Sequence, residues 1–250
     1  MKISVITPSI RKDRLEIVAK SLQKQTNEEW EWLIGSPFDP KIPWAKWIKD
    51  DFVGGFWSLN RIYNKLIENA RGDLIVSWQD SIYTPPTSLD AFWEDFQSTD
   101  GVALISAVGD QYDKLDSFGK PHNKVWVDPR KTNKYGSFYE TNADNIEWNF
   151  CAIPKKALET VGGFDEGLDF LGFGLDSYQV NERLDESGYK LYLNQEIESY
   201  SLRHNRDDYG GEDSWNQHNM MQGNKYQKRK QELLEKKQWP IITNKLLTTS

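Results

Sequence analysis

The chain has 250 residues, of which 38% are hydrophobic and 28% are charged. This composition is typical of globular proteins and excludes the disordered and membrane-spanning classes, and the length suffices for one sizeable core without a second domain. A formal net charge of −7 argues against nucleic acid as a partner, because a sequence-independent nucleic-acid surface needs clustered Lys and Arg.

The single cysteine, Cys151, excludes an intramolecular disulfide and favours a cytoplasmic location. The apolar run from Ile3 to Ile6 is too short for a signal-peptide core or a membrane span. Aromatic residues make up 13% of the chain and include 11 Trp. Because aromatic rings stack on sugars and nucleobases, this excess favours a carbohydrate or nucleotide ligand, although each single Trp is also typical of a core.

Strands and helices alternate along the first half of the chain. Residues Lys2 to Thr7 are apolar and β-branched and end at Pro8, which predicts a buried strand. Apolar residues at helical spacing predict a helix over Asp13 to Gln25. The other predicted strands are Trp30 to Ile34, Trp44 to Ile48, Leu74 to Trp78 and Val102 to Val108, and the other predicted helices are Ser58 to Asn69 and Leu89 to Phe96. This alternation predicts a largely parallel sheet that helices cover on both faces.

The second half begins with a polar stretch from Gly109 to Asn145 that has no clear period, which is typical of a functional lid or a disordered loop. A strand over Trp148 to Ile153 and helices over Lys155 to Thr160 and Ser177 to Ser187 are predicted after it. No internal repeat interrupts this order.

Ligands of such sheets bind at the carboxyl ends of the strands. The segments Pro8 to Arg11, Gly35 to Asp39 and Gln79 to Ser81 follow three of the predicted strands. We therefore expect these segments to converge on one crevice.

Four stretches carry motifs in a fixed order: Ile3 to Arg11 with Leu15 to Thr26, Asn60 with Ala70 to Asp80, Val161 to Glu166, and Gly172 to Asp176 with Arg183, Leu184, Gly188 and His204. Together they resemble the family 2-like inverting glycosyltransferases of the GT-A fold. The resemblance implies an α/β fold with three α/β/α layers and a mostly parallel central sheet. It also implies a glycosyltransferase, of the hexosyltransferase kind, that moves a sugar with inversion from a nucleotide-sugar, with a UDP-sugar favoured, to a hydroxyl of a glycan or glycolipid.

The implied domain is residues 1–205, followed by a C-terminal helical tail over 206–250. Within the domain, 1–108 is the nucleotide-sugar-binding half, 109–147 is a candidate lid and 148–205 is the acceptor-side half.

A divalent cation neutralises the diphosphate that leaves in such a transfer. The resemblance implies Mn²⁺ or Mg²⁺ with Asp80 and His204 as ligands. The sequence departs from the family here, because Gln79-Asp80-Ser81 supplies one carboxylate where relatives have two or three. Asp80 is also typical of a turn cap, and His204 is also typical of a diphosphate contact. The departure leaves a second function open, namely a catalytically inactive GT-A domain that binds nucleotide or glycan.

The nucleotide-sugar contacts that the resemblance implies are Pro8, Ser9, Arg11, Asp39, Asn60, Gln79 and Asp80. Main-chain groups of the first loop clamp the base while Arg11 faces phosphate. Asp39 follows the strand after which relatives read uracil, and Asp50 and Asp51 follow the next strand and compete with it for this role.

Inverting transfer needs a carboxylate that deprotonates the acceptor hydroxyl. The resemblance assigns this base to Asp176, whose position also suits an N-cap of the helix that follows; Glu166 is the alternative base. Trp148 and Asp165 border the acceptor side in this resemblance, although core packing is the favoured interpretation for Trp148 and a supporting turn role is the favoured interpretation for Asp165.

A basic stretch over Lys225 to Lys237 favours a solvated helix with internal ion pairs. Peripheral membrane contact through these cations is the alternative.

Overall fold

A computed structural model of the chain describes residues 2–50, 59–116, 119–132, 134–169, 176–203 and 224–242, without the side chains at 102, 103, 176 and 177. The described strands are β1 (Ile3–Pro8), β2 (Trp30–Ser36), β3 (Lys46–Lys49), β4 (Leu74–Trp78), β5 (Ile82–Tyr83), β6 (Val102–Leu115), β7 (Pro121–Trp126), β8 (Phe138–Thr141), β9 (Phe150–Pro154) and β10 (Lys190–Leu202). The helices are α1 (Leu15–Leu22), α2 (Leu59–Asn69), α3 (Ser88–Ser98), α4 (Lys155–Val161), α5 (Asp176–Glu186) and α6 (224–235), with short 3-10 helices at Ala143–Asn145 and Glu166–Leu168.

The sheet follows the order β3-β2-β1-β4-β9-β6-β10-β5, with β7 beside β6 and β8 beside β10. Strands β3, β2, β1 and β4 pair in parallel, and so do β6 and β10. Strand β9 is antiparallel to both of its neighbours. Along the path from β3 to β10 the other strands therefore run in one direction, so their carboxyl ends share one edge of the sheet.

Two buried clusters lie on opposite faces of the sheet and make the three layers. One cluster packs α2, α4 and α5 against the sheet, and the other packs α1 and α3 against it. The alternation of β1 shows the division, because Val5 belongs to the second cluster and Ile6 to the first. The expected three-layer α/β fold with a mostly parallel central sheet is confirmed.

The stretch from Gly109 to Asn145 is more regular than the sequence predicts. Strand β6 continues to Leu115 because its second half pairs with β10 from Glu198 to Leu202, and β7 and β8 occupy part of the remainder. Asp110 is only 2% exposed, because ion pairs compensate the charge of its carboxylate. A buried polar residue of this kind interrupts the apolar pattern from which a strand is predicted. Movement of 109–147 as a lid stays a prediction.

The C-terminal tail contributes α6, in which Tyr226 and Leu233 are almost fully buried, and the Tyr226 ring packs against Tyr178 of α5 at 5.6 Å between centroids. Lys230 forms ion pairs with Glu182 (2.9 Å) and Glu186 (2.8 Å) of α5. Part of the basic stretch is thus neutralised inside the protein. Among the described residues, no helix is long and apolar enough to cross a membrane.

Candidate active site

The loops after β1 and β4 meet at the shared edge of carboxyl ends, as expected. Pro8 is the last residue of β1, and the backbone N–H of Ser9 donates to the carbonyl oxygen of Gly35 at 2.8 Å. The Ser9 hydroxyl donates to Oδ2 of Asp80 at 2.6 Å. The first loop is therefore fixed to the end of β2 and to the aspartate that follows β4.

Asp80 forms a two-point ion pair with Arg11. Nη2 of Arg11 lies 2.5 Å from Oδ1 of Asp80, and Nε lies 3.2 Å from Oδ2. The Asp80 side chain is 2% exposed, whereas that of Arg11 is 25% exposed. Such a fork geometry holds a guanidinium rigidly and orients its charge. We refer to Ser9, Arg11 and Asp80 as the donor edge.

The described residues do not fit the expected divalent cation. Both oxygens of Asp80 already accept hydrogen bonds from Ser9 and Arg11. Within the described ranges, no three His, Cys, Asp or Glu side chains come together as metal ligands. His204, the second expected ligand, lies outside the described residues, so its role stays a prediction.

The candidate base readers follow β2 and β3. Asp39 bonds to Lys41, whose Nζ lies 2.6 Å from Oδ2, and this hydrogen bond lowers the pKa of the Asp39 carboxyl. Asp50 is 2% exposed, its backbone N–H donates to Ser36 at 2.9 Å, and Arg61 lies 3.4 Å from its carboxylate. Asp51 lies outside the described residues. The assignment of the base pocket to Asp39 stays a prediction.

Gln79 connects the donor edge to the start of β9. Its backbone N–H donates to the carbonyl oxygen of Asn149 at 2.9 Å, and its side chain is half-buried. The contact of the Gln79 amide with the ribose stays a prediction.

Asn60 occupies the first turn of α2 and is 3% exposed. Its backbone N–H donates to Oδ1 of Asp169 at 2.7 Å, and that of Arg61 donates to Oδ2 at 2.9 Å, so Asp169 caps the N-terminus of α2. Burial raises the pKa of Asp169 to about 6, against the effect of these two N–H groups. The Asn60 side chain is buried, its Oδ1 has no hydrogen-bond partner within the described residues, and its donor contact stays a prediction.

The two residues expected on the acceptor side are interior residues in this arrangement. Trp148 is 2% exposed, its indole N–H donates to Asn181 at 2.9 Å, and its ring packs against Phe164 at 4.8 Å between centroids. A ring with both faces buried in this way is not available for stacking on a sugar, because its position on the chain turns it toward the α2 and α5 layer. Asp165 is 4% exposed and accepts two bonds from Arg229 of α6, at 2.8 and 2.9 Å.

Asp165 belongs to a buried turn that also includes the Gly-Gly pair of the third motif. Gly162 and Gly163 have φ values of +79° and +70°, which favour glycine. Arg183 is fully buried, donates to the carbonyl oxygens of Val161 (2.5 Å) and Gly163, and burial lowers its pKa to about 10. We refer to this set as the turn cluster; its members are Gly162, Gly163, Asp165, Arg183 and Arg229.

Asp176, the expected base, is the first residue of α5, but its side chain lies outside the described part of the chain. Cys151 is fully buried in β9, and burial raises the pKa of its thiol. Cys151 is therefore an interior residue of the central sheet.

Neither a protein-family model nor a curated protein matches the sequence. Solved structures do match. GalNAc-T7, solved with UDP, GalNAc and Mn²⁺, matches with a TM-score of 0.63 at 11% identity over 82% of this chain and 44% of that one. The mannosyltransferase PcManGT from Pyrobaculum calidifontis, in complex with GDP-Man and Mn²⁺, matches with a TM-score of 0.60 at 12% identity over 91% and 64%.

TarS of S. aureus, residues 1–349, matches with a TM-score of 0.57 at 13% identity over 81% of this chain and 60% of that one. The chain thus spans 44% to 64% of the length of these structures. At such identities the likeness concerns the fold. Together with the strand order and the three layers, it shows that the chain has the GT-A fold of nucleotide-sugar glycosyltransferases.

Proposed function

We propose that the chain is a glycosyltransferase that transfers a hexose from a nucleotide-sugar, a UDP-sugar first among the candidates, to a hydroxyl of a glycan or glycolipid with inversion. The observation that supports it best is the donor edge, where Ser9, Arg11 and Asp80 meet at the carboxyl ends of β1 and β4. The crevice at this edge is where open α/β sheets bind ligands. Two of the structural neighbours contain UDP or GDP-Man.

In this proposal Arg11 binds the donor diphosphate. Its guanidinium is held by Asp80, whose carboxylate also accepts the Ser9 hydroxyl, so little conformational entropy is lost when an anion arrives. Charge-assisted hydrogen bonds from the fork stabilise the charge that develops on the leaving diphosphate. Asp80 acts through Arg11 and is a positioning residue.

Asp176 is the proposed general base. It removes the proton of the acceptor hydroxyl while the oxygen attacks the anomeric carbon on the face opposite to the leaving diphosphate, so that a new C–O bond forms as the bond to the diphosphate breaks. Gln79 bonds the ribose, and Asp39 reads the base. The described residues give no support to a step through Mn²⁺ or Mg²⁺, and metal dependence is a result to be measured.

The competing function is an inactive GT-A domain that binds nucleotide or glycan. The pairing of Asp80 with Arg11, together with Gln79 and Ser81 in place of further carboxylates, favours this alternative. Hydrolysis of UDP-, GDP-, CDP- and dTDP-sugars without acceptor, with Mn²⁺ and with chelator, separates the two. A nucleotide that binds the native state raises the melting temperature. Nucleotide binding without hydrolysis or transfer would establish the inactive domain, and the absence of both would overturn the proposal.

The cytoplasmic location also stays a proposal, as does membrane contact through α6. Lys228, Lys236 and Lys237 are exposed on or just after this helix. Binding to anionic vesicles that decreases with added salt would support contact through these cations.

A further inference from the structure

A polar cleft of about 160 Å³ opens next to the donor edge. Its lining includes Gln111, Trp126, Glu147, Asn149, Ser199 and Ser201. The carbonyl oxygen of Asn149 accepts the backbone N–H of Gln79 at 2.9 Å, and Ile82, two residues after Asp80 in the chain, also lines the cleft. The start of β9, the middle of β6 and the last part of β10 line it, and these strands follow β4 on the side of the sheet away from β2.

The wall of this cleft is held by a buried ion pair. Arg130, whose side chain is 10% exposed, bonds to both oxygens of Asp128, at 2.9 and 2.5 Å. It also lies 3.3 Å from Glu147, whose carboxylate accepts from Asn149 at 2.9 Å. Asp128 in turn accepts the backbone N–H of Gly109 at 2.9 Å. Glu147 and Asn149 are thus oriented before any ligand arrives.

Trp126 lines the cleft next to a β-bulge in the pairing of β6 with β7. Gln111 pairs with Trp126 and Tyr112 with Lys124, so Val125 is an extra residue in β7. Bulges of this kind redirect side chains and are frequent beside active sites. The Trp126 side chain is 38% exposed.

Several polar groups of the cleft remain available to a ligand. Within the described residues, the indole N–H of Trp126 and the side chains of Gln111 and Ser201 have no hydrogen-bond partner. An amide and a hydroxyl both donate and accept, which suits the hydroxyl groups of a sugar. An indole face suits the apolar C–H face of a pyranose.

The charges of the cleft disfavour an anionic ligand. Arg130 is the cation of the lining, and Asp128 and Glu147 already neutralise it. Glu147 adds an acceptor with a negative charge. A diphosphate therefore belongs at Arg11, whereas this cleft suits a neutral ligand rich in hydroxyl groups.

We propose that the cleft is the subsite for the acceptor sugar, a neutral pyranose that stacks on Trp126 and donates hydrogen bonds to Glu147 and Asn149. The assignment as an acceptor subsite rests on the proposed function. In this proposal the residue that stacks on the acceptor sugar is the exposed Trp126, and not the buried Trp148 that the sequence suggests.

The test uses the full chain, UDP, and a panel of methyl glycosides of glucose, galactose, mannose, N-acetylglucosamine and N-acetylgalactosamine. Binding of each glycoside is measured by ligand-observed NMR titration, and UDP binding is measured separately by calorimetry. Trp126→Ala removes the ring. Val125→Ala is the matched control, because Val125 is 39% exposed on the same strand and does not line the cleft. Gln111→Ala is a second variant that keeps the tryptophan.

We expect at least one glycoside to bind the wild type, with Kd raised about tenfold or more by Trp126→Ala, severalfold by Gln111→Ala and unchanged by Val125→Ala. UDP should bind all four proteins equally. Absence of glycoside binding to the wild type, or equal Kd in wild type and both cleft variants, overturns the subsite. Glycoside binding that depends on Trp126, without binding of any nucleotide, would sustain the carbohydrate subsite and refute the proposed transferase.

Discussion

Arg11 and Arg183 belong to two of the motifs in the sequence, and the structure gives their side chains different surroundings. Arg11 at the donor edge keeps 25% of its side chain exposed and binds the carboxylate of Asp80. Arg183 in the turn cluster is fully buried and binds backbone carbonyl oxygens and the amide of Gln179. A partly exposed guanidinium such as that of Arg11 can still donate hydrogen bonds to a ligand. The N–H groups of Arg183 are used by buried carbonyl oxygens, so Arg183 stabilises a turn. The predictions below test this division of roles.

The largest expected effect is on stability, from Arg183→Met. The substitution leaves the carbonyl oxygens of Val161 and Gly163 buried without a donor. Losses of this kind cost about 3–5 kcal/mol. Urea unfolding should show this decrease, while nucleotide affinity of the remaining folded protein should equal that of the wild type. An unchanged unfolding free energy would contradict the structural role of Arg183.

The buried carboxyl of Asp169 should make the free energy of unfolding depend on pH. Its pKa is raised to about 6 in the folded protein, so between about pH 4 and pH 6 the folded state binds more protons than the unfolded state. Stability from this group is present at low pH and is lost as the pH rises toward 6. The unfolding free energy of the wild type relative to Asp169→Asn should fall by at most about 3 kcal/mol across this range. A difference that does not change with pH would show that Asp169 does not titrate there.

The comparison also indicates how far the sequence can predict this protein. The helical spacing of Leu15, Val18 and Leu22 predicts α1, and all three are buried. Strand β10 is not predicted, because its pairing with β6 shifts register between Asn194 and Glu198 and this interrupts the alternation. Local periodicity fails where partners that are distant in sequence decide what is buried.

The site shows the same limit. The sequence locates Ser9, Arg11 and Asp80 in converging loops, and the structure brings them into contact. It does not predict that Asp80 pairs with Arg11, a residue 69 positions away, because pairing depends on side-chain direction. The excess of tryptophan favours a carbohydrate or nucleotide ligand. Residue type alone does not separate the exposed Trp126 from the buried Trp148.

Asp176→Asn tests the chemical step. Removal of a general base should lower kcat by about 10²-fold or more and leave donor affinity nearly unchanged. Asn caps a helix about as well as Asp, so the melting temperature should stay at the wild-type value. Transfer at the wild-type rate would move the base to another residue, with Glu166 the next to test.

Substitution of Gly162 in the turn cluster can be compared with the same substitution of Gly188, which lies outside the cluster and serves as the control. Both have positive φ, +79° and +82°, but a Cβ on Gly162 would collide with the carbonyl oxygen of Ile242, whereas one on Gly188 meets nothing within 4 Å. Gly188→Ala should cost about 1 kcal/mol of unfolding free energy for backbone strain alone. Gly162→Ala should cost about 1–2 kcal/mol more because of the collision. Equal losses would show that the C-terminal segment does not pack on the turn.

The last comparison concerns donor affinity, for which we expect a loss of about tenfold to a hundredfold when the donor edge is changed. The double variant Arg11→Met with Asp80→Asn removes both charges, so that no buried charge is left alone, and its stability should change by less than about 1 kcal/mol. The control is Arg71→Met with Glu31→Gln, an ion pair of 2.9 Å at the opposite, amino-terminal edge of the sheet. Both Asp80 and Glu31 accept a hydroxyl group and a guanidinium, so the two variants remove similar interactions.

Only the variant at the donor edge should weaken UDP-sugar binding, because charge-assisted bonds to phosphate are worth about 1.5–3 kcal/mol and Arg11, unlike Arg71, belongs to the donor edge. Calorimetric titration of both variants, with Mn²⁺ and with chelator, provides the measurement. Equal affinity in the two variants would mean that the donor diphosphate binds elsewhere. Loss of affinity that appears only when Mn²⁺ is present would assign the diphosphate charge to a cation instead of to Arg11, and the ion pair with Asp80 would then describe the protein before it binds its donor.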